Sequence, residues 1–233
     1  GIYHQGTAKN QYFKKNIFQI NTNTSGSVYV INANNTIKPN GIQMLDSNRV
    51  DTLYKTVAGG TVYFYSSASS SDSTVNKYFT NNVIDNVTLT GATTFYGFSD
   101  ADGVASSAAK KYYNNNLIKN ITGGTNAAYG FNVTFGKVID IHNNIIQQLT
   151  NGALINCINA GGSSTVDMKI YNNKIQNITT TSGNITGIYS AANATGAIAN
   201  IYNDTITDLN SAGSAYGIQI YDGITTNVYN NLL

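Results

Sequence analysis

Asp51 and Asp85 lie 34 residues apart, at the same point of a phrase that the chain repeats, and Lys119 comes next in that column. Paired carboxylates are what glycoside hydrolysis requires. A retaining mechanism wants them about 5–5.5 Å apart, and an inverting one roughly 6.5–9.5 Å. Residues on adjacent strands of a stack could meet the shorter separation. Two acids this close would also raise the pKa of one of them, as a general acid requires. The plain alternative is a solvated surface pair.

Tyrosines form the second candidate group. Tyr3, Tyr29 and Tyr63 fall in one column on three consecutive repeats, one position after an inward residue, and are expected to face outward. Tyr171, Tyr202 and Tyr229 form a second row, with His142 one repeat away. Exposed aromatic rows can stack against sugar rings and make a shallow glycan-contacting face. The competing explanation needs no ligand, because aromatic pairs on adjacent strands stabilise a sheet by roughly 0.2–1 kcal/mol each. The chain has no Trp, which weakens the sugar reading.

Other signals are weaker. "SDADG" (99–103) resembles the start of a calcium loop, but such loops end in a bidentate Glu and this chain has none. A turn explains the stretch. Thr88, Thr122, Thr150 and Thr179 stack on four consecutive repeats, as in ice-binding arrays, but a parallel second rank is lacking and cross-strand Thr pairing accounts for the row. His4 and His142 fall in different columns and suggest no metal pair. Cys157 is expected to point inward as an inert thiol. No metal site or cofactor is expected.

What positions these residues is a repeat. "IYNNKIQNIT" (170–179) recurs as "FTNNVIDNVT", "YNNNLIKNIT", "IHNNIIQQLT" and "IYNDTITDLN". One apolar column reads Ile17, Val50, Ile84, Ile118, Ile146, Ile175, Ile206, Leu233. Five residues upstream runs Tyr12, Leu45, Phe79, Tyr113, Ile141, Ile170, Ile201, Val228. Three residues downstream runs Ile20, Leu53, Val87, Ile121, Leu149, Ile178, Leu209. A fourth column, often after Gly, reads Ile2, Val28, Val62, Phe98, Phe131, Ile155, Ile188, Ile218. Neighbours alternate polar and apolar, which is strand periodicity. No repeat can bury its own apolar residues, so the repeats must stack.

The expected fold is all-β: a right-handed, single-stranded parallel β-helix of about seven coils of 24–36 residues, with the spread taken up by Gly/Ser/Thr-rich loops. At roughly 4.8 Å per coil the rod is on the order of 34 Å long. Two residues before the Ile column stand Lys15, Asn48, Asn82, Asn116, Asn144, Asn173, Asp204 and Asn231. Asn tolerates the left-handed conformation of a corner, and stacked amides can bond along the axis as a ladder. Ile175 and Ile178 are three apart, so a bend or bulge is expected between them.

Composition bounds the function. Only 10% of residues are charged, against about 25% in ordinary domains. All 11 acids are Asp, and Asn occurs about 35 times. Such a composition disfavours helix. A net charge of +2 with scattered lysines gives no footprint for nucleic acid. No apolar run approaches the roughly 20 residues of a membrane span. One cysteine excludes an internal disulfide framework.

The "NNxIxN…GI" phrase resembles the coil repeat of the pectin-lyase-like right-handed β-helix superfold. The "NNxIxNIT…GIY" phrasing and the Asn, Thr and Tyr richness are similar to large repetitive surface proteins of Bacteroidota. That resemblance implies export by type nine secretion, an extracellular or cell-surface location and an adhesive role toward polysaccharide or cell-surface glycan. "DTL" (51–53) and "DTI" (204–206) are similar to the triplet glycosylated in that lineage. β-Helix glycosidases place acids on neighbouring rungs, so a polysaccharide-cleaving enzyme using Asp51 and Asp85 is the alternative. The Gly-His-Gly and Arg-Ile-Lys signatures of polygalacturonase-like enzymes are missing, and Arg49 is the only arginine. Residues 1–17 align without gaps to 217–233 and neither end reads as a cap. The expectation is therefore a single solenoid segment, 1–233, interior to a longer chain.

Overall fold

Alternation with period two makes each apolar column the inner face of a strand, and stacking the repeats closes three faces around one core. The computed structural model describes residues 1–103, 108–221 and 225–233. It is a parallel β-solenoid of about seven turns, with no helix among the described residues. Two faces are eight-stranded sheets and the third is seven-stranded. A central coil shows the plan: Thr94–Asp100 lies in the first sheet, Lys110–Asn114 in the second and Leu117–Thr122 in the third. Each strand pairs in parallel with the equivalent strand one coil before and one after.

The corner between the second and third sheets explains "NN". The two asparagines divide the work. The first of each pair is left-handed, as in Asn81, Asn115, Asn143, Asn172, Asn203 and Asn230, with φ between 55° and 57°. The second is buried and builds the ladder. Asn82 Nδ2 donates to Asn116 Oδ1 at 2.9 Å, Asn116 to Asn144 at 2.9 Å and Asn144 to Asn173 at 3.0 Å. Each ladder amide also serves the backbone. Asn116 Nδ2 reaches the carbonyl of Phe79 at 2.8 Å, and its Oδ1 accepts the N–H of Asn82 at 3.0 Å. The corner's backbone groups are thus satisfied without water.

The expected bend in the third sheet is present. Asn86, Asn120, Gln148, Asn177 and Asp208 are left-handed, with φ of 53–57°, one residue before Val87, Ile121, Leu149, Ile178 and Leu209. This extra residue turns both flanking apolar side chains inward, as a bulge does.

Two alignments need correction. In the first coil the phase slips by one. Phe13 pairs with Leu45 and Phe18 with Val50, so Phe13 and Phe18 occupy the columns assigned to Tyr12 and Ile17. Ile17 is 68% exposed and Tyr12 53%. Asn16, not Lys15, heads the ladder, bonding Asn48 at 2.8 Å, and Lys15 takes the left-handed corner. The first coil lacks the bulge residue, and counting from Ile20 with the later spacing causes the slip.

The fourth column was two columns. Val28, Val62, Phe95, Ala128, Ile155 and Ile185 form one. Ile2, Ile31, Tyr65, Phe98, Phe131, Ile158, Ile188 and Ile218 form the other. Glycine marks the second: a Cβ at Gly97 would sit 2.5 Å from the carbonyl oxygen of Gly130 in the next coil. Part of the apparent spread in coil length came from mixing the two.

Candidate functional site

Outward positions carry the surface chemistry, and register decides which residues meet. Tyr29, Tyr63, Tyr96 and Tyr129 stack on four consecutive coils of the first sheet. Ring centroids are 4.9, 5.2 and 4.6 Å apart and the planes lie within 10° of parallel. Tyr3 does not belong to this row. It pairs with Asn32, in the next outward column, because Ile2 aligns with Ile31 and not with Val28. The same mixing of columns hid Tyr96 and Tyr129.

The second row stands on the second sheet as read. His142, Tyr171, Tyr202 and Tyr229 are consecutive, 4.8, 4.9 and 5.0 Å apart and within 11° of parallel. A shorter stack, Tyr78 on Tyr112 at 5.1 Å, lies one column over.

This geometry constrains what tyrosines can do for a ligand. Within a row the ring faces cover one another, so an approaching sugar meets ring edges and a line of phenol hydroxyls, one per coil. Burial, followed by neighbouring phenols, pushes Tyr96 up to about 12. Burial likewise raises Tyr63 and Tyr171. These three phenols therefore remain hydrogen-bond donors across the physiological range.

Asp51 and Asp85 do lie on adjacent coils of the third sheet, set by the pairing of Val50 with Ile84. They are tied into an ion network. Arg49 Nε pairs with Asp51, and Arg49 Nη2 lies 4.0 Å from Asp85 Oδ2. Lys119 Nζ is 3.2 Å from the same oxygen, and Asn120 Nδ2 donates to Asp85 Oδ1 at 2.8 Å. Both oxygens of Asp85 thus have a protein partner.

The third sheet also carries a shallow polar groove along the axis. Asn86, Asn120 and Gln148 form one wall at the bulge, and Thr88, Thr122 and Thr150 the other. It lies on the same sheet as a second hollow lined by Gln19, Asn21, Thr52 and Tyr54.

A charged cluster that the apolar columns do not foretell lies inside the coil. Asp100 and Asp102 of "SDADG" are fully buried, as are Lys77 and Lys111. Lys77 Nζ is 2.6 Å from Asp102 Oδ2 and 3.2 Å from Asp100 Oδ1, and Lys111 Nζ is 3.0 Å from Asp100 Oδ1. Tyr113 Oη donates to Asp100 Oδ2 at 2.9 Å. A polar chain runs on from the hydroxyl of Tyr65 to Gln43 at 2.6 Å and through Gln11 to Asn35. Burial lowers Lys111 to about 8, against the pull of Asp100. Asp100 is held low by Lys111 and Lys77, which outweigh the opposing effect of burial. Parity carried a signal: Lys77 and Lys111 stand two residues before the inward Phe79 and Tyr113, and Asp100 two after Phe98.

Cys157 points inward as expected, and burial pushes its thiol up to about 12. Comparison with protein families, curated proteins and solved structures found no match for this chain.

Proposed function

We propose that the chain is a structural and adhesive segment of a secreted or cell-surface protein, a stiff rod that presents repeating hydroxyl and amide rows to polysaccharide or cell-surface glycan. One observation carries this reading. Outer faces display runs of the same polar group, one per coil over three or four consecutive coils, as in the phenol rows Tyr29–Tyr63–Tyr96–Tyr129 and Tyr171–Tyr202–Tyr229. A row of equal donors at a repeat of about 4.8 Å suits a polymer with its own repeat better than a single small molecule. The ion network around Asp51 and Asp85 favours this reading over polysaccharide cleavage, since both oxygens of Asp85 are already engaged.

The test is co-sedimentation with a panel of neutral and acidic polysaccharides, with mass spectrometry of the supernatant. Retention without new oligosaccharides is expected. Tyr63→Phe with Tyr96→Phe keeps the stack, removes two hydroxyls and should weaken retention several-fold. Oligosaccharides that disappear in Asp51→Asn would overturn the adhesive reading. Neither retention nor products would leave the rod as an inert spacer.

A further inference from the structure

Burying four charges in a β-solenoid core is costly, since even a well-paired buried ion pair often stabilises less than apolar residues of similar volume. The cluster nevertheless has the geometry of a reaction. Lys77 Nζ approaches Asp102 Oδ2 to 2.6 Å and sits 3.2 Å from Asp100 Oδ1. The other oxygen of Asp102 accepts the backbone N–H of Ser71 at 2.9 Å. Asp100 is itself balanced by Lys111 at 3.0 Å and oriented by the Tyr113 hydroxyl at 2.9 Å. Tyr65, Phe79, Phe98 and Tyr113 pack edge to face beside the cluster, and all are buried.

We propose that Lys77 and Asp102 condense in the folded protein to an amide, with Asp100 carrying the protons. The Lys77 ammonium gives one proton through Asp100 to Asp102 Oδ2, leaving a neutral amine and a carboxylic acid. The nitrogen lone pair forms the N–Cγ bond, and the carbonyl electrons move onto Oδ1, where the Ser71 N–H receives them. Asp100 takes a second proton from the nitrogen and delivers it to the Oδ2 hydroxyl. The Cγ–Oδ2 bond breaks, water leaves and the Cγ–Oδ1 double bond re-forms. One ammonium and one carboxylate become one amide and one water, with no oxidant or co-reactant. Holding Lys77 Nζ 2.6 Å from the Asp102 carboxylate supplies the proximity that makes such a step intramolecular. The product removes both buried ion pairs of Lys77 and leaves Lys111 with Asp100. It also joins the strand Asn76–Thr80 of one coil to the segment following Thr94–Asp100 of the next. The inference does not depend on the glycan reading.

Intact-mass spectrometry of the purified, protease-resistant folded chain tests it. The mass should fall short of the sequence mass by one water molecule. Tryptic digestion should leave residues 56–110 as one peptide, uncleaved after Lys77 and one water lighter than its sequence, with fragment ions that place a closed loop between Lys77 and Asp102. Lys77→Arg and Asp102→Ala should each restore the full mass. Asp100→Asn should restore it while keeping both reacting residues, which separates proton transfer from mere presence of the pair. A folded wild-type chain at full sequence mass, with ordinary cleavage after Lys77, would overturn the proposal. So would a lost water mapped to any other pair.

Discussion

Asp204 stands where the asparagine ladder should hold an amide. Its Oδ1 accepts from the Asn173 backbone N–H at 2.8 Å and from Asn173 Nδ2 at 2.9 Å, as any ladder residue would. Its Oδ2 is buried without a hydrogen-bond partner. At the equivalent positions an amide donates to the preceding coil, as Asn173 Nδ2 does to the Ile141 carbonyl at 3.0 Å and Asn231 Nδ2 to Ile201 at 3.0 Å. A proton on Oδ2 restores that donor. Burial accordingly raises Asp204 to about 6, against the lowering effect of the Asn173 bonds. The folded state then binds this proton more tightly than the unfolded chain, whose carboxyl titrates near 3.8. The stability contribution is fully present below that value, falls as pH rises to about 6, and is flat above. Asp46, Asp72 and Asp100 are shifted the opposite way, so wild type alone does not isolate the effect. Asp204→Asn does. Urea unfolding at several pH values should show the variant gaining on wild type from pH 4 to 6 and remaining more stable at pH 7. Equal differences at every pH would show that Asp204 titrates normally.

At the scale of the element, the corner separates two demands that the sequence writes as one dipeptide. Replacing Asn116 by Ala removes bonds to the Phe79 carbonyl, to Asn144 and from Asn82. Each buried group left unsatisfied costs about 1–3 kcal/mol, so the loss should exceed roughly 3 kcal/mol in chemical denaturation. Asn115→Gly should be nearly neutral, because glycine takes φ near 56° without strain, whereas Asn115→Val should be clearly destabilising. A comparable cost for Asn115→Gly and Asn116→Ala would contradict the division of labour. The strands, the ladder and the bend near Ile175 were legible because each rests on a repeated local rule. The first coil was not, because its missing bulge residue shifts Phe13, Asn16 and Phe18 by one, and the composition of a single row does not reveal a deletion. Tyr3 was misplaced for a related reason: two apolar columns three residues apart look alike until the glycines at Gly97, Gly130 and Gly187 fix which is which. The lysines at 77 and 111 were legible by parity but were read by residue type.

For the whole molecule, stability is the sum of each coil's own terms and its contacts with the coil above and below. Central coils have two neighbours. They also hold the aromatic box of Phe79, Phe98, Tyr113 and Phe131, stacked at 4.3 Å between Phe79 and Tyr113 and 5.0 Å between Phe98 and Phe131. The charged cluster lies in the same coils. Within residues 1–233 the outermost coils have one neighbour each, and their apolar columns are only partly covered at Ile2, Phe18, Ile20, Leu209 and Ile218. Amide exchange should therefore be slowest in the strands Asn76–Thr80, Val83–Leu89, Thr94–Asp100, Lys110–Asn114 and Leu117–Thr122, and should quicken stepwise toward both ends, coil by coil. Local opening of this kind is expected wherever contacts are nearest-neighbour. Uniform protection over all coils would mean that the rod opens only as a whole. An amide between Lys77 and Asp102 makes a further demand on the same experiment. It ties two central coils together, so Lys77→Arg should speed exchange in Asn76–Thr80 and Thr94–Asp100 while leaving the strands at Ile198–Tyr202 and Thr205–Ser211 unchanged. Nearest-neighbour coupling confines the change to that neighbourhood, so an effect spread evenly along the rod would point to global destabilisation by the substitution and not to loss of a local cross-link.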